Sequence, residues 1–163
     1  MQTKTEKVIS VLKELNIPYK LVAHKAVYTM QEMEALQIEG IEYVAKNLFV
    51  RDDKKKNYYL VVVQKDKRVD LKELKITLNS RPLTLASEED LMRYLYLEKG
   101  AVTPLGVLND KDNAVTVIID KALQSSEYIG MHPNENTASV WLTVKDLERV
   151  IKYCTNTLLY LDL

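Results

Sequence analysis

Three stretches of this chain hold residues whose types and spacing could do chemistry. The first is IEYVAKNLFVRD, Ile41 to Asp52. Read as a strand, its side chains alternate between two faces. One face then carries Val44, Lys46, Leu48 and Val50. An unpaired buried ammonium is costly, so lysine is seldom fully buried without a partner. Lys46 is either an edge residue whose stem packs while its charge reaches water, or a cation held at a pocket. The second stretch is GAVTP, Gly100 to Pro104. Glycine permits backbone conformations closed to other residues, and proline fixes the exit. Such a loop can aim several N–H groups at one carbonyl or phosphate oxygen. The plain alternative is a helix-terminating glycine followed by a turn. The third is GMHPNENTAS, Gly130 to Ser139, with His132, Asn134, Asn136 and Thr137. These groups suit a small ligand, and they are also ordinary turn residues.

Other chemistries find no support. The chain lacks a Walker loop, a dinucleotide-binding glycine fingerprint and an H-E-x-x-H pair. With only His24 and His132, a histidine-rich metal site is excluded, and the carboxylates show no ligand spacing. Cys154 is the single cysteine, which excludes an internal disulfide and a cysteine-based zinc site. No nucleophile-elbow motif supports a Ser–His–Asp triad. No metal and no cofactor is therefore expected. The 23 basic and 23 acidic residues balance, so no global positive field argues for bulk nucleic-acid binding. The charge runs DDKKKN and QKDKRVDLKELK read most simply as solvated faces. Should they share a side with the two loops, Lys54, Lys55, Lys56, Lys65, Lys67 and Arg68 would form a phosphate patch.

The elements that must position these residues follow from periodicity and caps. Thr3 to Leu15 predicts a helix with Val8, Val11, Leu12 and Leu15 on one face, ended by NIP. YKLVAH predicts a short strand. Thr29 with Glu32 starts a helix through about Gln37, and Gly40 closes it. IEYVAKNLFVRD and NYYLVVVQ predict a hairpin joined by DKKKN. Further helices begin at Asp70, Ser87 and Thr143, the last running through about Cys154. Short strands are expected at RPLTLA, NAVTVIID and TASVWLT, with EKGAVTPLGVLND a loop between elements. KALQSSEYIGMHPNEN reads as a short helix and a loop, and TLLYLDL carries no motif. At 163 residues, 47% of them hydrophobic and 28% charged, the chain suits one soluble domain over residues 1–163. Mixed elements without strict βαβ alternation predict an α+β fold on a mixed, mostly antiparallel sheet. The polar start MQTKTEKVIS is unlike a signal peptide, and no apolar run would span a bilayer, so a cytoplasmic location is expected.

Taken together, KNLFVRDDKKKNYYLVVV, GAVTPLGVLND and HPNENTASVWL resemble the YbaK/ProX superfamily of aminoacyl-tRNA editing domains. The likeness is greatest to the free-standing branch called PrdX or ProXp-ala, related to the editing insert of bacterial prolyl-tRNA synthetases. HKAVYTMQE, His24 to Glu32, resembles the same branch, and the likeness runs from about Lys4 to Val150. It implies one compact domain with a sheet curled into a barrel-like shape and helices around it. It implies hydrolysis of mischarged tRNA, with Ala-tRNA(Pro) as substrate. The partners implied are the acceptor end of an aminoacylated tRNA and, as a candidate, prolyl-tRNA synthetase.

Carried onto this sequence, the resemblance assigns the family lysine to Lys46, the glycine–proline loop to Gly100, Ala101, Val102, Thr103 and Pro104, and the loop histidine to His132. Tyr28, Asn47, Asn134, Asn136 and Lys54 to Lys56 are the candidate substrate contacts beside these. An aminoacyl ester is already activated, so water and an oxyanion site are enough. Backbone N–H groups of Ala101 to Thr103 are the candidate donors. Either His132 or the ribose hydroxyl of the terminal adenosine could serve as base, and the hydroxyl is preferred. Two other functions stay open: deacylation of another small aminoacyl-tRNA, such as Cys- or Ser-tRNA, and non-catalytic binding of tRNA or synthetase.

Overall fold

A computed structural model describes residues 2–163. Side-chain caps decide where its α-helices begin. These are α1 (Lys4–Glu14), α2 (Met30–Ala35), α3 (Leu71–Leu78), α4 (Glu88–Leu95) and α5 (Val144–Tyr153). Thr3, Thr29, Asp70, Ser87 and Thr143 each accept a hydrogen bond from the N–H three residues on, at Glu6, Glu32, Glu73, Asp90 and Asp146. Each cap satisfies an N–H that the helix itself cannot. The buried sides of α1 and α5 carry Val8 and Leu12, and Leu147, Val150 and Ile151, all on the main core.

The strands are β1 (Lys20–Ala23), β2 (Ala45–Asp52), β3 (Tyr58–Gln64), β4 (Leu83–Leu85), β5 (Val115–Asp120), β6 (Ile129–Met131), β7 (Ala138–Leu142) and β8 (Leu158–Leu161). They form two sheets. The larger has the order β4-β2-β3-β5-β8, antiparallel across β4-β2-β3 and parallel across β3-β5-β8. The smaller, β1-β7-β6, is antiparallel throughout. The α+β class holds, and neither sheet closes into a barrel. They touch through an isolated bridge between Val44 and Gly130. Pairing goes no further because Ile41–Tyr43 turns as a 3₁₀ helix, so β2 starts only at Ala45.

Other expectations shift locally. Pro104–Asn109 is a 3₁₀ helix capped by Thr103, whose hydroxyl accepts from the Leu105 N–H. Ile129–Met131 is a strand rather than loop, and TLLYLDL supplies the edge strand β8. Both faces of β2 are covered. Ala45 and Phe49 join the main core, while Val50 and Leu48 pack in a smaller cluster with Leu74 of α3. Lys46, the second residue of the strand, lies on that second face and is partly buried, opposite the fully buried Val63.

The junction between the sheets leaves no space at Gly130. A β-carbon there would lie 2.8 Å from Trp141 Nε1 and 3.0 Å from Val44 Cγ2. Gly130→Ala is expected to destabilise the fold by about 1–3 kcal/mol, the usual range for overpacking. Urea unfolding would measure it, and an unchanged midpoint would mean the junction gives way freely.

Candidate active site

A pocket of about 290 Å³ opens beside the junction of the two sheets. Its wall comes from four separated segments: Val27 to Met30, Val44 to Asn47, the Gly100–Val102 loop, and Met131 to His132 with Ser139. Lys46, Asn47, Gly100, Val102, Tyr28 and His132 are thus brought together. The remaining wall is mainly apolar, from Val27, Met30, Val44 and Met131.

Lys46 donates through Nζ to the backbone carbonyl of Lys67 and pairs with no carboxylate among the described residues. Its charge is therefore positioned but not neutralised. Lys67 turns its own ammonium to the buried Asp120, at 2.5 Å. On the opposite face of β2, Asn47 Nδ2 donates to the Val102 carbonyl at 3.2 Å, tying the strand to the glycine loop. Asn47 Oδ1 is buried and accepts nothing in return. An unsatisfied buried acceptor is unfavourable by roughly 1–3 kcal/mol, so it is a place where a donor is welcome.

Gly100 sits at φ +87°, in the left-handed region that glycine enters without penalty. A β-carbon would also lie 2.8 Å from Tyr28 Cδ1. The glycine is thus needed for close approach as well as for the turn. Of the three expected oxyanion donors, Ala101 is engaged, because its N–H donates to the Glu98 carbonyl at 3.1 Å. The Val102 and Thr103 N–H groups meet no backbone acceptor among the described residues. Thr103 is fully buried and Val102 is only partly so, which leaves Val102 as the donor nearest the opening.

His132 donates from Nδ1 to the Ala138 carbonyl at 2.8 Å, which leaves the Nε2 lone pair free. Burial pushes its pKa below the ordinary 6.5, and the His24 imidazole lowers it further, against the opposing pull of the Ala138 carbonyl. The ring is therefore neutral at neutral pH, with a defined tautomer. His24 lies 6.0 Å away, centroid to centroid, and bonds the Ser139 hydroxyl through Nε2 at 2.8 Å.

The other residues named from sequence fall outside the pocket wall. Asn136 exchanges two hydrogen bonds with Val27, its Nδ2 donating at 2.8 Å and its carbonyl accepting at 3.3 Å. It shapes the segment that carries Tyr28. Asn134 is buried and donates to the Leu105 carbonyl. Ala101, Thr103 and Pro104 are buried supports of the loop. Lys54, Lys55 and Lys56 occupy the turn between β2 and β3, at the far end of the hairpin from Lys46, about 20 Å along the strand at roughly 3.3 Å per residue. Sequence reading passed over Met30, Met131 and Ser139. Ser139 had a signal: a lone hydroxyl within an apolar strand. Among the described residues no group of three or more His, Cys, Asp or Glu side chains is placed to hold a metal ion.

The lowered pKa of His132 makes a stability prediction. The unfolded chain takes up this proton first as pH falls below 6.5, so stability present above that value is lost toward the lower folded pKa. The melting temperature is expected to fall over that window, and His132→Gln should remove part of the slope. Parallel slopes for the two proteins would mean that His132 is not held neutral.

Residues 24–150 match the model of the aminoacyl-tRNA editing domain family. The chain is 47% identical over 156 residues to the prolyl-tRNA editing protein ProX of Acetoanaerobium sticklandii, covering 96% of this chain and 95% of that protein. It is 35% identical over 150 residues to prolyl-tRNA synthetase associated domain-containing protein 1 of Danio rerio, covering 90% and 80%. Its fold superposes with a TM-score of 0.73 on the crystal structure of a candidate trans-editing enzyme for prolyl tRNA synthetase, at 19% identity and covering 100% and 99% of the two chains. On the extent of these matches, the chain belongs to the aminoacyl-tRNA editing domain family.

Proposed function

We propose that this protein is a trans-acting deacylase that edits mischarged tRNA(Pro), with Ala-tRNA(Pro) as its substrate and alanine as a product. The observation that carries this reading is the meeting of Lys46, Asn47, Gly100, Val102 and His132, from distant parts of the sequence, on one small pocket of an editing-domain fold. The likeness to a prolyl-tRNA editing protein supports tRNA(Pro) over other tRNAs. Its setting would be the cytoplasm, with prolyl-tRNA synthetase as a candidate partner. No helix among the described residues is long and apolar enough to cross a membrane.

In this reading Lys46 meets a phosphate of the tRNA terminus or the aminoacyl end, since its ammonium is a compact point charge. Water adds to the ester carbonyl carbon. The resulting oxyanion is met by the Val102 N–H, with Gly100 giving the loop its close approach. The carbon–oxygen ester bond then breaks, and the leaving ribose oxygen takes up the proton given by the attacking water, relayed through the neighbouring ribose hydroxyl. The ribose hydroxyl of the terminal adenosine acts as base, and neutral His132 orients the substrate through its free Nε2. Because Asn47 holds Val102 by its carbonyl, it positions the donor as well as lining the wall. The apolar wall accepts a methyl group. The larger proline ring is excluded by crowding, which a close-packed pocket resists more strongly than underfilling.

The test is release of free amino acid from a panel of charged tRNAs: Ala-tRNA(Pro), Pro-tRNA(Pro), and Cys- and Ser-tRNA. Alanine release well above the others supports the reading. Equal or preferred release of cysteine or serine points to the other small-substrate deacylase, and no release at all to a binding module. Lys46→Ala should lower kcat/KM by on the order of 10²-fold, the scale of losing one preorganised electrostatic contact, with little change in melting temperature. Wild-type turnover in this variant would remove Lys46 from the mechanism. Gly100→Ala should lower kcat more than it raises KM, because its contribution belongs to the transition state. It should also lower stability, because its β-carbon meets Tyr28. Single-turnover deacylation beside thermal melts separates the two effects, and a destabilised but fully active variant would take the loop out of the catalytic account.

A further inference from the structure

A second and larger cavity, of about 670 Å³, lies on the other side of the segment that carries α2. Its wall is aromatic: Tyr19, Tyr43, Tyr128 and Trp141. It is held in shape by the fold itself. Trp141 Nε1 donates to the Gly40 carbonyl at 2.8 Å, and the absent β-carbons of Gly40 and Gly130 make room for the indole. Tyr43 and Tyr128 meet edge to face, with centroids 5.7 Å apart. Tyr128 remains 41% exposed, an accessible aromatic at the groove's edge. The groove is distinct from the candidate active site, although β7 touches both: Ser139 lines the pocket, and Trp141, two residues on, lines the groove.

The charge around these rings has one dominant sign. Glu39 and Glu42 line the groove, and Glu127 acts on Tyr43 from the β6 side. Neither Glu42 nor Glu127 forms an ion pair among the described residues. Lys20 is the one cation in the wall, and it already pairs with Glu39 at 3.5 Å. That lysine also shows what the groove accepts, for its ammonium lies 5.8 Å from the Trp141 ring centroid. A cation over an aromatic face, with a carboxylate beside it, is a recurring form of ammonium and guanidinium recognition. A polyphosphate strand would meet uncompensated carboxylates here instead.

We propose that this groove is a docking site for a lysine- or arginine-bearing segment of a protein partner. One cationic side chain of that segment stacks on the tyrosines and pairs with Glu42 and Glu127, much as Lys20 does with Trp141 and Glu39. A partner seated there adjoins the candidate active site through β7.

Trp141 is the chain's only tryptophan, so its fluorescence reports on the groove directly. The full-length protein is titrated to low millimolar with a capped peptide of alternating arginine and glycine. The same peptide with glutamate in place of arginine, and a short RNA duplex, serve as comparisons. The expected result is a saturable fluorescence change with the arginine peptide alone, weakened by added salt. In the doubly substituted Glu42→Gln, Glu127→Gln protein, binding should weaken by about tenfold, the effect of losing close charge pairs, with deacylation unchanged. The proposal is overturned by any of three results: no saturable change with the arginine peptide, a response to the glutamate peptide or the duplex as strong as to arginine, or full affinity in the double variant. Because the readout is fluorescence rather than turnover, it stands or fails apart from the proposed activity.

Discussion

The two sheets share the main hydrophobic core, and one backbone bridge between them fixes how they are joined. Two open sheets meet at the Val44–Gly130 bridge, and the Trp141 indole fills the space that Gly130 and Gly40 leave empty. Val44 and Trp141 belong to one small apolar cluster with Val27 and Met33, so the contact also fastens the segment carrying α2. The candidate site lies beside this seam. Its strand, its histidine and its Tyr28 wall each come from a different side of it. A shift at the seam would move them relative to one another, since close-packed interiors transmit displacement rather than absorb it.

A second regularity is how the polar side chains of the site are held. Lys46, Asn47, His132 and Asn136 donate to the backbone carbonyls of Lys67, Val102, Ala138 and Val27. None of these four is anchored by a carboxylate. A carbonyl fixes direction while contributing only a dipole, so each group keeps its remaining hydrogen-bonding capacity. His132 keeps a free Nε2, and Asn47 keeps an unpaired Oδ1. Preorganisation of this kind comes from supporting residues whose own positions are locked by the fold.

Much of this was legible in the sequence where the signal is local. The cap pairs Thr29 with Glu32, Asp70 with Glu73, Ser87 with Asp90 and Thr143 with Asp146 each mark a real helix start. The oddity of Lys46 among aliphatics left an edge residue and a pocket cation both open, and the structure puts it in the pocket wall, while Gly100 takes a backbone conformation that glycine favours. What was not legible is set by distant partners. β8 is an edge strand whose residues are all half-buried, so TLLYLDL shows no alternation to read. β6 is three residues long, too short for a periodic signal. The lysine run at Lys54 to Lys56 adjoins β2 in sequence, yet the extended strand carries it away from Lys46. Ala101 seemed a free donor until its neighbour Glu98 was seen to accept its N–H. The sheets stay open, with pairing between them ending in the turn at Ile41–Tyr43.

The carbonyl tether on Lys46 has a kinetic consequence. Were a carboxylate in place of the Lys67 carbonyl, every incoming anion would first have to displace it, adding a step to each encounter. The tether removes that step, and the chain's formal net charge of zero adds no net long-range attraction. Capture of an anionic ligand should then proceed near the unsteered range, about 10⁵–10⁶ M⁻¹s⁻¹. Discrimination between ligands falls to how long each one stays, so residence time, rather than rate of arrival, is the quantity this arrangement of charge is built to set.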